Sequence, residues 1–339
     1  MADQLSSTAR ALVAANKGIL AADESFPTIE KRFKTINIEN NEDNRRAYRD
    51  MLFGTPGLEE FISGVILFDE TLRQSTSDGT AFAEVLAARD IIPGIKVDAG
   101  AKDLANHPGE KVTEGLDGLR DRLNEYAGLG ARFTKWRAVI TIGDGIPTDY
   151  CIRANAHALG RYAALSQEAG LVPIVEPEVL MDGDHSIDRC YEVTARTLTA
   201  VFEELDAARV ALEGTLLKTN MVLSGKDAAD QADVEEVARR TVQVLGETVP
   251  SSIPGIVFLS GGQSDELATA HLNAMNRIDH GPWELSFSYG RALQAPSLKA
   301  WKGEASNVEA GRRALFHRAK LNGAARSGSY SEDMENEAA

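Results

Sequence analysis

The chain has 339 residues, of which 43% are hydrophobic and 26% charged, the profile of a soluble globular protein long enough for two medium domains or one large α/β barrel. Its 36 basic and 51 acidic residues leave a net charge of −15. Such a surface repels nucleic acid and anionic lipid, so a phosphate-bearing ligand would have to be drawn into a local positive pocket.

No continuous apolar run in Met1 to Asn16 suggests a signal peptide, and no segment approaches a transmembrane span. Cys151 and Cys190 show no C-x-x-C spacing. That argues against a disulfide framework or a thiolate zinc site and for a reducing, cytoplasmic compartment.

In chain order, a helix is expected from Ser6 or Ser7 to Ala15, stopped by Lys17-Gly18. G-I-L-A-A-D, Gly18 to Asp23, follows as a short apolar strand ending in a carboxylate. Asn40 to Phe53 reads as a helix with Glu42 and Asp43 first and arginines later, an order that suits the helix dipole. After the break at Thr55-Pro56-Gly57 a rhythm sets in. G-V-I-L-F-D (Gly64 to Asp69) is a strand followed by a helix through Phe82 to Ala88. G-I-K-V-D (Gly94 to Asp98) precedes a helix from Leu116 to Leu129, with Leu116, Leu119, Leu123 and Tyr126 on one stripe. Ala131 to Ile140 is a strand and Asp149 to Ala169 a helix; Leu171 to Glu178 is a strand, and Ser186 to Ala208 a helix. Val210 to Lys218 leads to a helix over Asp233 to Leu245, and Gly255 to Ser260 to one over Ser264 to Met275. The last strand is Glu284 to Ser288, before helices from Arg291 to His317 broken at Gly303.

Eight apolar strands, each followed by a helix, imply parallel pairing and a closed (β/α)8 TIM barrel in a single domain. A doubly wound sheet would want G-x-G-x-x-G after the first strand, and Gly18 to Ile29 has none. Residues 1–321 read as the barrel; residues 322–339 are small, polar and acidic and read as a mobile tail.

A barrel enzyme places its chemistry at the C-terminal strand ends. Those ends carry Asp23, Asp69, Lys96 with Asp98, Lys135 with Arg137, Glu176 with Glu178, Lys218, Ser260 and Ser288. Strand ends become wet in any protein, but lysines are prominent here although the protein is acidic. Lys135 and Arg137 are two apart, as are Lys96 and Asp98, so each pair shares a face. Converging cations create an anion site and favour the neutral form of any one amine among them. Lys218 ends the apolar segment E-G-T-L-L-K, where a charged amine loses hydration. It is therefore either a snorkelling or salt-bridged lysine at a strand end or an amine kept partly neutral, as imine chemistry needs. Carbinolamine dehydration needs a proton donor and a base, and Glu176 and Asp23 are available.

F-L-S-G-G-Q-S, Phe258 to Ser264, sets Gly261 and Gly262 between a strand and a helix, where backbone N–H groups can meet an anion. S-Y-G-R-A, Ser288 to Ala292, adds Arg291 at the next loop, and loops seven and eight are the usual phosphate position of the fold. The six histidines show no i, i+4 pairing, so no metal site is expected. Asp182 and Asp184 with His185 stand at a helix start, where capping is the preferred reading.

These segments resemble those of the class I, Schiff-base fructose-bisphosphate aldolases. The motifs are K-G-I-L-A-A-D-E-S, D-N-R-R-A-Y-R, G-V-I-L-F-D-E-T-L, G-I-K-V-D, T-K-W-R, V-P-I-V-E-P-E, D-G-D-H, L-E-G-T-L-L-K, F-L-S-G-G-Q-S and F-S-Y-G-R-A-L-Q, in order from Lys17 to about Trp301. The resemblance implies reversible cleavage of fructose 1,6-bisphosphate to dihydroxyacetone phosphate and glyceraldehyde 3-phosphate, with no metal or other cofactor and in a homotetramer. It implies Lys218 as the imine-forming lysine, Glu176 as the acid/base of carbinolamine formation and dehydration, Asp23 as acceptor of the C4 hydroxyl proton, and Lys135 as the neighbouring positive charge. The ketose 1-phosphate would meet Ser260, Gly261, Gly262, Ser288, Gly290 and Arg291. The far phosphate would meet Arg32, Lys96 and Ser25, with Thr28 or Arg137.

Three departures stand out. The chain ends Glu337-Ala338-Ala339 where animal members end in a tyrosine, leaving Tyr330 as the one tail tyrosine. Thr219 replaces the usual proline after Lys218, which should loosen that turn, and E-S-F-P-T-I-E-K-R differs from the animal-type segment after Asp23. The alternatives are an aldolase of broader range, also acting on sedoheptulose 1,7-bisphosphate, and a non-catalytic barrel scaffold.

Overall fold

The computed structural model describes residues 2–336, so the terminal Glu337-Ala338-Ala339 lies outside the described residues. Among the described residues there are ten strands: β1 (Gly18–Ala22), β2 (Ile62–Leu67), β3 (Ile92–Lys96), β4 (Ala101–Asp103), β5 (Lys111–Thr113), β6 (Phe133–Ile140), β7 (Val172–Val179), β8 (Leu216–Thr219), β9 (Gly255–Phe258) and β10 (Glu284–Tyr289). Eight of them close a barrel in the order β1-β10-β9-β8-β7-β6-β3-β2, every neighbouring pair parallel. The expected single-domain (β/α)8 barrel is therefore the fold. The β4–β5 hairpin, inserted after β3, was not anticipated; its strands are three residues each and hydrophilic, below what alternation can reveal.

Side-chain alternation sorts each strand between two layers. In β6, Phe133 and Lys135 point into the barrel. Thr134 and Trp136 point outward, where Thr134 meets Tyr162 and Ser166 of the helix Asp149–Glu168. The inward apolar residues Ile19, Ile66, Phe133, Val172, Ile174, Leu216 and Val257 form one cluster with Leu5, Ala9, Leu12 and Val13, contributed by the helix Ala2–Leu12 and the residue after it. That helix plugs the barrel's N-terminal end. A larger cluster fills the space between the sheet and the outer helices.

Several boundaries differ from expectation. β2 begins at Ile62 and ends at Leu67, so Asp69 starts a helical turn instead of ending a strand. There it accepts from Tyr126 Oη at 2.9 Å and pairs with Arg73. The helix Phe26–Lys34, opened by Pro27 in its first turn, was not foreseen. The expected turn after Lys218 does not begin at Thr219. That residue is buried within β8, and its carbonyl accepts from Leu259 N at 3.0 Å, so the ladder holds it.

The expected tail boundary falls inside the helix Val308–Arg326. Asn322, Ala325 and Tyr330 are buried, Tyr330 N donates to Asn273 Oδ1, and Arg318 holds Glu335 through two bonds of 2.7 and 2.6 Å. The described part of the segment is thus packed down, because short apolar and amide residues in a polar run contact helix neighbours far away in sequence.

Candidate active site

The C-terminal end of the barrel opens into a cavity of about 1250 Å³. All fourteen residues singled out from sequence line it: Asp23, Lys135, Glu176 and Lys218 with Ser25, Arg32, Lys96, Arg137, Ser260, Gly261, Gly262, Ser288, Gly290 and Arg291. Thr28 lines it too, whereas Asp69 and Tyr330 do not.

The register explains the convergence. Ile174 of β7 is opposite Leu216 of β8, so two residues on, Glu176 stands beside Lys218. Lys218 Nζ lies 3.1 Å from Glu176 Oε1. Lys135 Nζ lies 2.6 Å from Asp23 Oδ2 and 3.4 Å from Glu176 Oε2. Two amines and two carboxylates thus alternate across four strands, Lys135, Glu176 and Lys218 being at most 5% exposed in their side chains and Asp23 13%. Glu176 Oε2 is buried and takes part in no hydrogen bond among the described residues, with Lys135 Nζ at 3.4 Å.

Charge balance within the quartet is uneven. Burial pushes the Asp23 carboxyl up, but Lys135 and Lys218 outweigh it and hold Asp23 well below the ordinary carboxylate range. Burial likewise opposes the charge on Lys135, and Asp23, Glu176 and Asp98 more than reverse it, so Lys135 is held firmly as an ammonium.

Around the quartet three further cations are paired with carboxylates. Lys96 Nζ donates to Asp98 Oδ1 at 2.5 Å and to its carbonyl at 2.8 Å, and Arg137 pairs with Glu178. Arg32 pairs with the buried Glu24, which also holds Arg49 and accepts from Gln294 Nε2 at 2.8 Å. Burial raises the Glu24 carboxyl, and the two guanidiniums pull it below its usual range. Reading the sequence missed Glu24, Arg49 and Gln294 as a unit. Gln294 is 270 residues from Glu24, and the only local sign was a second carboxylate directly after Asp23. Arg32 was expected at the far end of the substrate; its Nη2 lies 3.4 Å from where a Cβ on Gly290 would stand, so its guanidinium sits beside the loop after β10.

The opposite flank is built from backbone and hydroxyls. Gly261 and Gly262 have φ of +54° and +98°, a conformation side chains disfavour, and neither N–H is taken by an acceptor among the described residues. A Cβ on Gly262 would lie 2.9 Å from Met181 Sδ, so bulk as well as φ selects glycine. Ser288 Oγ, buried on β10, has no hydrogen-bond partner, and Arg291 Nη2 donates to Gln263 O at 2.6 Å, joining the two loops. Free N–H groups, an unpartnered hydroxyl and a guanidinium together make an anion cradle.

No group of three or more His, Cys, Asp or Glu among the described residues is placed to hold a metal ion. The helix Ile187–Ala207 is capped by Ser186, whose Oγ accepts from Arg189 N. Asp182 instead pairs with Lys226 at 2.5 Å, so the aspartates of D-G-D-H do not cap. Cys151 and Cys190 are buried and unpaired, and no helix among the described residues is long and apolar enough to cross a membrane.

Comparison with known proteins agrees with the geometry. A family described as fructose-bisphosphate aldolase class-I matches residues 4–339. A probable fructose-bisphosphate aldolase class 1 of Xanthomonas campestris pv. campestris is 60% identical over 329 residues, covering 97% of this chain and 98% of the relative. The Arabidopsis thaliana protein named fructose-bisphosphate aldolase 6, cytosolic, is 53% identical over 98% of this chain and 93% of its own length. The fructose-bisphosphate aldolase of Plasmodium falciparum, solved in a ternary complex with TRAP and a small-molecule inhibitor, superposes with a TM-score of 0.96 at 50% identity, covering 97% and 96% of the two chains.

Proposed function

The chain belongs to the class-I fructose-bisphosphate aldolase family, whose lyase reaction is the metal-independent, Schiff-base cleavage of fructose 1,6-bisphosphate, and from that premise we propose how its own residues carry the steps. The observation that carries the assignment is the alternating quartet, with Lys218 Nζ at 3.1 Å from Glu176 Oε1. Lys218 attacks C2 of the open-chain ketose as the free amine. Glu176 moves the protons that turn the resulting carbinolamine into the iminium and water, and its Oε2, which accepts no hydrogen bond among the described residues, supports that part.

Asp23 then takes the proton of the C4 hydroxyl. The C3–C4 bond breaks, its electron pair passes into the iminium to give the enamine, and glyceraldehyde 3-phosphate departs. Protonation at C3 and hydrolysis of the imine release dihydroxyacetone phosphate. A carboxylate held as low as Asp23 is a weak base while two ammonium groups face it. Lys218 is cationic again as the iminium, and the passage of the C3–C4 electron pair into it removes one of those charges in the same step that loads the proton on Asp23. Lys135 stays cationic and keeps Asp23 ionised and oriented.

The ketose 1-phosphate sits in the cradle of Ser260, Gly261, Gly262, Ser288, Gly290 and Arg291, and Arg32 serves from beside Gly290. Lys96, Arg137 and Ser25 receive the far phosphate, exchanging carboxylate partners for phosphate oxygens. A homotetramer in the cytoplasm completes this reading, supported by the family resemblance and by the cytosolic Arabidopsis relative. Sedimentation should give four copies.

The test of the chemistry is covalent capture. Dihydroxyacetone phosphate with borohydride should add one reduced triose phosphate to Lys218, located by peptide mass spectrometry. An adduct on any other lysine, or none, would overturn the assignment.

A further inference from the structure

Behind the phosphate cradle lies a buried pair that the reaction itself does not use. Gln263 follows Gly262 directly and is 3% exposed; His271, two turns into the helix Asp265–Asn276, is 2% exposed. His271 Nδ1 stands 2.6 Å from Gln263 Oε1, and Gln263 Nε2 stands 3.0 Å from the carbonyl oxygen of Ser260. The same carbonyl also accepts from Gln263 N at 3.0 Å, and the Gln263 carbonyl accepts from Arg291.

The hydrogen-bonding logic admits one arrangement. A carbonyl can only accept, so the amide must present its NH2 to Ser260 O. Its Oε1 then faces His271, and the imidazole has to be the donor through Nδ1–H. A flipped amide would set oxygen against oxygen at Ser260, whichever tautomer His271 took. The Ser260 carbonyl therefore fixes the orientation of Gln263, and His271, as the Nδ1–H tautomer, holds the other end of the amide.

We infer that the Gln263–His271 pair is a positioning device for phosphate binding, holding the Ser260 carbonyl back so that the N–H groups of Gly261 and Gly262 stay free for the ligand. It rests on the reading that this loop takes the ketose 1-phosphate. The loop gains its direction from two donors converging on one carbonyl. Gly261 and Gly262, at φ +54° and +98°, contribute no side chain that could hold it. Without the amide, the segment between β9 and the helix keeps the single Gln263 N bond and the Arg291 tie.

The experiment compares steady-state kinetics of His271→Leu, His271→Asn, Gln263→Met and Arg291→Ala in the full-length protein. His271→Leu and Gln263→Met should raise KM for fructose 1,6-bisphosphate, and the inhibition constant of inorganic phosphate, about five- to tenfold, as loss of one or two buried neutral hydrogen bonds implies. Their kcat should stay within about twofold, because neither residue touches the reacting atoms. His271→Asn, which restores an N–H donor, should recover most of the loss.

Unchanged KM in both His271→Leu and Gln263→Met, or an Asn variant no better than Leu, would overturn the inference. Two sites are varied so that misfolding of one leaves the other to decide. Arg291→Ala separates the levels: if it fails to raise KM, the phosphate reading falls and takes this inference with it. If it raises KM while the pair's variants do not, only the inference falls.

Discussion

The two ends of the barrel interior are built by the same strands and obey opposite chemistry. At the floor, the side chains of Ile19, Phe133, Ile174 and Leu216 pack in one apolar cluster with the plugging helix. One or two inward positions further along, on the same face, stand Asp23, Lys135, Glu176 and Lys218. The change takes two to four residues, which is one or two inward positions in a pleated strand. The floor is packed so closely that a Cβ on Gly94 would lie 2.3 Å from the Phe133 ring. The mouth keeps a cavity of about 1250 Å³ and leaves Ser288 Oγ and Glu176 Oε2 without a hydrogen bond among the described residues. The floor supplies stability by close packing and leaves no room for a ligand. The mouth keeps polar groups that give up hydration for the sake of a reaction. It can hold them in place because the layer beneath does not move.

That division can be broken from the mouth downward. Lys218→Met should remove the nucleophile, lowering kcat by a factor on the order of 10⁴ or more and abolishing the borohydride adduct. The thermal midpoint reports whether the fold survives, and residual turnover near the wild-type level would sink the division of roles. Asp23→Asn should be milder, with kcat down about 10²–10⁴-fold as for loss of one general base. The imine should still form, so mass spectrometry should find the adduct on Lys218 while glyceraldehyde 3-phosphate release is slow.

The floor answers differently. Phe133→Ala should cost about 3–5 kcal/mol in urea unfolding through the cavity it leaves. In the folded protein, kcat should change little beside the effect of Asp23→Asn. A catalytic loss as large as that from Asp23→Asn would mean that floor and mouth are not separable.

The smallest effect lies behind the cradle. Burial lowers the His271 pKa from 6.5 to about 4, so between those values the unfolded chain binds the proton and the folded one does not. Stability contributed by a neutral His271 is complete above pH 6.5 and is lost as pH falls toward 4. The loss between pH 7 and pH 5 should be about 2 kcal/mol. His271→Asn should flatten that part of the urea-midpoint profile, and an unchanged slope would contradict the buried neutral state.

Much of this was legible in the residues. Strand ends could be read because apolar segments stop at charges, and the chemistry of a lysine after L-L is unusual enough to announce itself. The eight strand positions were each found to within a few residues, apart from the start of β8, where a 3-10 turn at Leu212–Gly214 takes up the chain expected to be strand. What escaped was non-local or short. The hydrophilic β4–β5 hairpin and the Glu24–Arg49–Gln294 network leave no periodic trace, and the helix Phe26–Lys34 leaves only the spacing of Phe26, Ile29 and Phe33. The described part of the tail, where Tyr330 Oη donates to Glu335 at 2.9 Å, looked mobile from its composition. Its partners Asn273 and Arg318 belong to two other stretches of chain.

By itself, then, the sequence determined the alternation of strand and helix, the parallel barrel that follows, and the list of charged residues at its mouth. Periodicity and burial preference act over a few residues, and that is the range at which sequence speaks. Only the tertiary structure decided who pairs with whom: Lys218 with Glu176, Lys135 with Asp23, Arg32 with Glu24 beside Gly290. Ion pairs depend on distances of 3 to 4 Å between atoms far apart in the chain, and the register of eight closing strands sets those distances.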